Sequence, residues 1–415
     1  MNTARPEAGL GINLRHLRAL TAVAAAGSIT GAADALFRVP SGVTRAIAAL
    51  EAGLGRPLFD RQARGVTLNP YGELVRLRAL RVEAEFERGR AQLAARGVRP
   101  AAGARSPFDA LPNGRRLAVI ASLVDLRNMP AVAHAFGITQ PAVSGALKSL
   151  EAGLGLALFD RRAGRLAPTP AGEAVALSFR RVLAELRSIA ADIAASEGML
   201  QGSVTVGALP LGRTRILPLA IAALIARHPG LHVVTVESPY DALAASLRGG
   251  DVDFILGALR GAEEAADLRQ EPLFEDRIAV IARAGHPLAR AGRIDFDALH
   301  RARWVLSRQG SPSRELLERC FRAAREAPPV PAVETGDLAI LRGLLMESDM
   351  LTALSAHQLD HEIADGSLAV LDFPLDGTRR QIGLTQRLGA CASPGARALM
   401  AEVRAVAARP PFCAA

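Results

Sequence analysis

The apolar positions follow two different periods along the chain. Over residues 13–27, Leu14, Leu17, Leu20, Thr21 and Ala24 recur three or four residues apart, which is one face of a helix. Gly27 and Ser28 end it, and Ser28 is placed to cap the next. Residues 29–36 predict a short Ala-rich helix, "FRVPSGV" a break, and residues 43–55 a third helix stopped by Gly55. From residue 201 the grammar changes. Strands of continuous Val, Ile and Leu are predicted at 202–209, 231–238 and 252–259, alternating with helices at 213–230 and 240–250. That order predicts a parallel sheet covered on both faces. Residues 276–289 are expected to cross to a second subdomain. It holds strands at 303–310, 330–335 and 350–355 and helices at 312–326 and 338–348. Residues 368–374 cross back, and 380–387 with a helix at 395–408 complete the first subdomain.

The helical half is written twice. "LEAGLGRPLFDR" (50–61) returns as "LEAGLGLALFDR" (150–161), with only Arg56→Leu156 and Pro57→Ala157 changed. Around the second phrase stand a helix at 114–128, "MPAVAHAF" (129–136), the turn "GIT" (137–139) and "QPAVSGALKSLEAGLG" (140–155). A short helix, a Gly-containing turn and a longer helix make the helix-turn-helix pattern, whose second helix enters the major groove. Thr139 is suited to cap that helix, and Pro141 fits its first turn. Gln140, Ser144 and Lys148 then face outward near its start, as do Ser41, Thr44 and Arg45 in the first copy. Gln can pair in bidentate fashion with adenine. After each third helix, Leu58-Phe59 and Leu158-Phe159 predict a two-stranded wing. Arg61, Arg64, Arg161, Arg162 and Arg165 lie on or near its turn, placed for phosphates or the minor groove. Long amphipathic helices follow at 69–97 and 169–198, and each needs a partner to bury its stripe.

Charge sharpens this picture. Residues 1–200 hold 26 Arg and Lys against 16 Asp and Glu, whereas residues 201–415 hold 24 against 25. A basic half beside a neutral half implies that one part meets a polyanion. Three widely separated cysteines, Cys320, Cys391 and Cys413, fit neither a disulfide framework nor a metal-binding spacing. Residues 13–28 superficially suit an export signal. Their counterpart at 114–128 lies deep inside the chain, so a first helix of a folded unit is the better reading, with a cytoplasmic, nucleoid-associated location and no membrane partner. No G-x-S-x-G, H-E-x-x-H, Walker A or G-x-G-x-x-G phrase is present, so no enzyme is expected. His357 and His361, at i and i+4, could share a helical face but lack a third ligand, so neither metal nor cofactor is expected.

"LEAGLGxxLFDR…TPxGE" after "TQPAVSGALKSLE" resembles the DNA-binding head of LysR-type transcriptional regulators. The second copy carries the pattern more fully; the first lacks the Gln-Pro pair and has Arg45 where the second has Gly145. Residues 202–408 resemble the periplasmic-binding-protein-like sensor of the same family. The resemblance implies an α+β multidomain chain: winged helix-turn-helix copies at 13–97 and 115–198, a Gly/Pro/Ala-rich flexible tether at 98–114, and a two-subdomain α/β effector domain. Subdomain 1 covers about 202–275 and 376–408, and subdomain 2 covers 276–375. The two heads can take neighbouring half-sites, or pair through their long helices and mimic within one chain the dimer the family builds from two.

By the same resemblance the chain is a homo-oligomer, dimer or tetramer, that binds double-stranded DNA and is switched by a small effector between the subdomains. In open α/β sheets ligands sit at the carboxyl ends of strands. That edge brings Pro210, Leu211, Arg213, Thr214, Ser307, Ser311, Thr335 and Asp337 forward as effector contacts. Arg213 or Arg308 suits a carboxylate. A likeness of residues 333–359 to the sugar-responsive branch of the family points instead to a sugar-like effector. Two other classes fit parts of the chain: an architectural DNA-binding protein with an inert sensor, and a solute-binding protein using the second half alone.

Overall fold

A computed structural model describes residues 10–62, 65–95, 97, 113–162, 165–291 and 293–409, with the side chains of residues 61–62, 161–162 and 165 excepted. Residues 98–112 of the tether expected at 98–114, and Arg64, lie outside these residues; the tether's expected end is corrected, since Asn113 caps a helix that begins at Gly114.

The first copy forms α1 (Leu14–Ala26), α2 (Ile29–Ala35), α3 (Pro40–Leu54), a hairpin of β1 (Phe59–Gln62) and β2 (Gly65–Leu68), and α4 (Pro70–Ala95). The second repeats it as α5 (Gly114–Leu126), α6 (Met129–Phe136), α7 (Gln140–Leu154), β3 (Phe159–Arg162), β4 (Arg165–Pro168) and α8 (Pro170–Ser196). Asn13, Ser28, Asn113, Asn128, Thr139 and Thr169 each accept a backbone N–H in the first turn of the helix they precede. One expectation is corrected. The segment 37–43 does not break the chain as a unit, because Pro40 occupies the first helical position, where its missing N–H is harmless, and α3 begins there rather than at residue 43.

The repeated phrase has a mechanical meaning. Leu50, Leu58, Leu150 and Leu158 are buried. The carboxylates of Glu51 and Glu151 accept the backbone N–H of Leu58 (2.7 Å) and Leu158 (2.8 Å), tying each third helix to its wing. Gly72 and Gly172 are required by closeness. A Cβ there would stand 2.0 and 2.1 Å from the carbonyl oxygens of Leu58 and Leu158.

The two long helices find their partner in each other, and they run antiparallel. On α4 the contacts rise from Arg78 through Phe86 to Gly89. On α8 they fall from Asp192 and Glu185 through Phe179 to Ser178. Val82 and Val182 are fully buried along this seam, and both heads share one continuous apolar core.

The second half forms two five-stranded sheets. Subdomain 1 carries β5 (Gly202–Ala208), α9 (Pro210–Thr214), α10 (Ile216–Arg227), β6 (Leu231–Val236), α11 (Tyr240–Gly249), β7 (Phe254–Ala258), β8 (Leu268–Asp276), β14 (Arg380–Arg387) and α16 (Pro394–Ala407). Its strand order is β6-β5-β7-β14-β8. β5, β6 and β7 are parallel, but β14 runs antiparallel to β7 and β8, so the sheet is mixed. The helix expected over 213–230 is two helices broken at Arg215. β8 was not expected, because its residues carry no continuous apolar run. Subdomain 2 holds β9 (Ile278–Arg283), α12 (Phe296–Arg301), β10 (Arg303–Leu306), α13 (Pro312–Ala323), β11 (Val333–Glu334), α14 (Leu338–Glu347), β12 (Met350–Ser355), α15 (Asp360–Ala364) and β13 (Leu368–Val370) in the order β11-β10-β12-β9-β13. β13 pairs with β9, so the chain returns to subdomain 1 only after it. No described helix is long and apolar enough to cross a membrane.

Candidate nucleic-acid interface and ligand cleft

The third helix of each head presents its first turns outward. On α7, Gln140, Pro141, Gly145 and Lys148 are exposed and Ser144 is half-buried, while Val143, Leu147 and Leu150 face the core. The Thr139 hydroxyl caps the helix through Ala142 N–H (3.4 Å). On α3, Ser41, Thr44 and Arg45 are exposed. Thr44 donates its hydroxyl to the Pro40 carbonyl (3.1 Å), and Arg45 donates Nε to the Ser41 carbonyl (3.3 Å). No carboxylate of the described residues pairs with Arg45 or Lys148. The backbone places Arg61, Arg161 and Arg162 on the wing strands β1 and β3.

Sequence reading missed the cluster that joins heads to sensor. Arg78, Glu85 and Glu185 are almost wholly buried where α4, α8 and subdomain 1 meet. Arg78 donates to Glu185 (2.6 Å), Asp192 (2.6 Å) and the Cys391 carbonyl (2.9 Å). Burial works against its charge, but the hydrogen bonds it donates to Asp192 and Glu185 win and hold the guanidinium above its ordinary range. Arg387, at the end of β14, reaches Glu85 at 3.0 Å and Glu185 at 4.0 Å. Arg181 contacts the Arg248 carbonyl, and burial lowers its guanidinium below the usual value. Arg78, Glu85, Arg181 and Glu185 sit within otherwise ordinary amphipathic helices, where charges at such spacing usually face water; the antiparallel pairing together with the end of β14 buries them.

The segments that follow the carboxyl ends of parallel strands β5 and β12 meet at the cleft where the two subdomains join. Thr214, closing α9, donates its hydroxyl to the His357 carbonyl across it (3.3 Å), and Arg215 pairs with Asp360. At the end of β10, Ser307 lies 2.9 Å from both Ser311 and Ser313 through their hydroxyls. Thr335 is buried and accepts Asp337 N–H, and Asp337 itself caps α14 through Ala339 and Ile340 N–H. Pro210 is exposed and opens α9, whereas the Leu211 side chain packs in the core of subdomain 1. Arg213 is half-buried and Arg308 exposed, and no carboxylate of the described residues pairs with either. His357 and His361 do not share a helical face, since His357 lies in a 3-10 turn packed on Phe274 and His361 in α15. A groove of about 610 Å³ lined by His286, Arg301, Arg303 and Asp349 opens at the opposite edge of subdomain 2, at the amino ends of β10 and β12. Strand carboxyl ends are the usual ligand edge, so the cleft is the better candidate.

One strand connects hinge and heads. Asp276, where β8 ends and the chain enters subdomain 2, accepts from Ser355 of β12 (2.6 Å) and from Arg380 at the start of β14 (2.9 Å). β14 ends at Arg387 against Glu85 and Glu185.

Comparison with known proteins agrees with this layout. Residues 197–408 match the LysR substrate binding domain, and residues 14–73 and 115–173 each match the bacterial regulatory helix-turn-helix protein, lysR family. The HTH-type transcriptional regulator GalR of Pseudomonas putida is 50% identical over 395 residues, 95% of this chain and 97% of its own. PcaQ of Agrobacterium fabrum is 28% identical over 71% of this chain but 94% of its own, so it is shorter by about one head with its long helix. Among solved structures, a full-length OxyR variant of Pseudomonas aeruginosa has a TM-score of 0.54 at 24% identity, covering 70% of this chain and 93% of its own. ArgP of Mycobacterium tuberculosis has a TM-score of 0.54 at 20% identity, covering 70% and 96%. Heads, sensor and their order along the sequence are thus accounted for together, and the chain belongs to the LysR family of DNA-binding transcriptional regulators.

Proposed function

We propose that both heads contact DNA and that a small anionic effector, a carboxylate, switches them from the cleft between the subdomains. The observation that carries the effector class is the half-buried Arg213, with which no carboxylate of the described residues pairs, next to Thr214 where it reaches the other subdomain; the hydroxyls of Ser307 and Ser311 group separately at the end of β10, beside the amino terminus of α13. Effector binding alters the Thr214–His357 contact and the Asp276 contacts to Ser355 and Arg380. β14 carries that change to Glu85 and Glu185, which lie between the two long helices, and so alters how the heads are held. Further copies associate through the sensor, where Leu219 and Ile225 stand exposed on α10. The protein works beside the nucleoid, in the cytoplasm.

The test is a panel of small carboxylates and sugars titrated against the full chain, with affinity for promoter DNA and for random duplex measured at one fixed salt concentration. A specific regulator prefers its site by about 10³-fold or more, and an architectural binder does not. The expected result is a carboxylate that shifts promoter affinity in the native chain and loses its effect in Arg213→Ala and in Ser307→Ala/Ser311→Ala, with DNA binding retained. A response to sugars alone would overturn the effector class.

A further inference from the structure

We infer that one chain reads a non-palindromic DNA element made of two unlike half-sites, one per head, so that the element has a fixed polarity. This rests on both heads meeting DNA, as proposed above.

Two independent observations carry it. The first is the pairing. Asn13 bridges its own duplicate, Asn113, in antiparallel fashion, and α4 runs antiparallel along α8. Equivalent positions meeting each other are the mark of a twofold axis, here relating two segments of one chain. The face by which head 1 pairs is filled by head 2, an unlike sequence. Two identical heads so paired would read an inverted repeat, with half-sites related by the protein's own symmetry. Two unlike heads do not.

The second observation is how the copies differ. Over the first three turns of the recognition helices, the positions buried in both copies keep their chemistry: Val43 with Val143, Ile47 with Leu147. Every position exposed in both copies has changed: Pro40 with Gln140, Ser41 with Pro141, Arg45 with Gly145, Ala48 with Lys148, Ala49 with Ser149. A copy kept only as scaffold would have no use for an exposed cation, yet Arg45 stands on this surface with no carboxylate of the described residues beside it. The donors are also complementary. Arg45 offers the fork that reads guanine O6 and N7, at a position where head 2 has no side chain. Gln140 offers the amide that reads adenine N6 and N7, where head 1 has a proline and no donor. Phe37 adds an exposed ring beside the start of α3, where head 2 has Gly137; such a ring can meet a thymine methyl.

The experiment is selection of bound sequences from a random duplex pool by the full chain at fixed salt. The expected consensus has two unlike halves. Arg45→Ala flattens the preference in one half and Gln140→Ala in the other, each weakening binding to the selected site about tenfold or more. A head-matched variant carrying Phe37→Gly, Pro40→Gln, Ser41→Pro, Thr44→Ser, Arg45→Gly, Ala48→Lys and Ala49→Ser should select an inverted repeat instead. A palindrome selected by the native chain would overturn the inference, as would a consensus left unchanged by Arg45→Ala. A pool with no enrichment at all would sink the DNA-reading itself, a distinct result.

Discussion

Asn13 and Asn113 occupy the same position in the two copies and form an antiparallel bridge with each other, each also capping the helix that follows it. The flanking backbone joins in, with Arg115 N–H donating to the Leu10 carbonyl at 3.2 Å. Paired strand residues bring their Cα atoms to about 4.5–5.5 Å, within disulfide reach. The double variant Asn13→Cys/Asn113→Cys, in a background with the natural cysteines replaced by Ser, should therefore oxidise to a cross-link within one chain. A non-reducing gel would show a compact monomer. Cross-linked dimers in its place would mean that heads pair between molecules.

The carbonyls of Leu58 and Leu158 leave no room for a Cβ at Gly72 or Gly172. Gly72→Ala and Gly172→Ala should each destabilise the chain by about 1–3 kcal/mol, the usual range for overpacking, or more because the obstacle is backbone. Urea denaturation reads the loss. Each variant should also weaken protection of one half of a DNA footprint and spare the other.

Arg78 is the buried cation that pairs with Asp192 and shares Glu185 with Arg81. Arg78→Ala leaves the mostly buried Asp192 without its cation and Glu185 with only Arg81 (2.9 Å) and the more distant Arg387, and should lower stability by about 3–5 kcal/mol. Arg90→Ala, removing an exposed pair with Glu87 on the same helix, should change it by less than about 0.5 kcal/mol. Equal effects in thermal denaturation would contradict the burial described.

Phe37 holds φ at +53° with its ring almost fully exposed, while its counterpart Gly137 takes +59° without penalty. A side chain in the left-handed region is strained by about 1–2 kcal/mol, and this ring buries nothing in return. After the backbone entropy of glycine is deducted, Phe37→Gly should stabilise the free protein by up to about 1 kcal/mol. Calorimetry in the absence of DNA measures it.

Arg56, one of the two substitutions inside the repeated phrase, donates to Glu197 at the end of α8 (2.6 Å), and Tyr71 donates to the same carboxylate (3.2 Å). The hydrogen bond from Arg56, helped by Tyr71, holds the Glu197 carboxyl below its ordinary value. A depressed carboxyl stabilises the fold above its unfolded value of about 4.3, and that contribution is lost as pH falls through the folded value. Arg56→Leu should thus be less stable than the native chain at neutral pH and indistinguishable from it well below pH 4. A stability gap that persists in acid would show that the ion pair is not its source.

The heads were legible because their signals are local. Helical spacing, the caps at Ser28 and Thr139, and the turn before Gln140 act within a few residues, and the offset of 100 displays each of them twice. Pro40 was misplaced for a reason equally local: proline reads as a breaker until one sees that it opens a helix. In the sensor, the apolar runs of β5, β6, β7 and β12 announced themselves, but β8 did not, since it is a mixed-polarity strand held by β14 from far along the chain. The hydroxyl groups at Ser307, Ser311 and Thr335 were visible as candidates, but nothing in their spacing says that Ser307 and Ser311 bind each other or that Asp337 is spent on a helix cap.

By itself, then, the amino-acid order determined the two heads and the outward residues of α3 and α7, because these follow from periodicity and caps over short stretches, while the family and the sensor were legible through the resemblance that the repeated motif and residues 202–408 carry. Only tertiary structure decided that α4 and α8 bury each other, that position 13 meets its own copy, and that Arg78, Glu85, Glu185 and Arg387 lie in one dry cluster. Those facts depend on contacts between residues up to three hundred positions apart, where charge and burial are set by what packs opposite rather than by what stands beside.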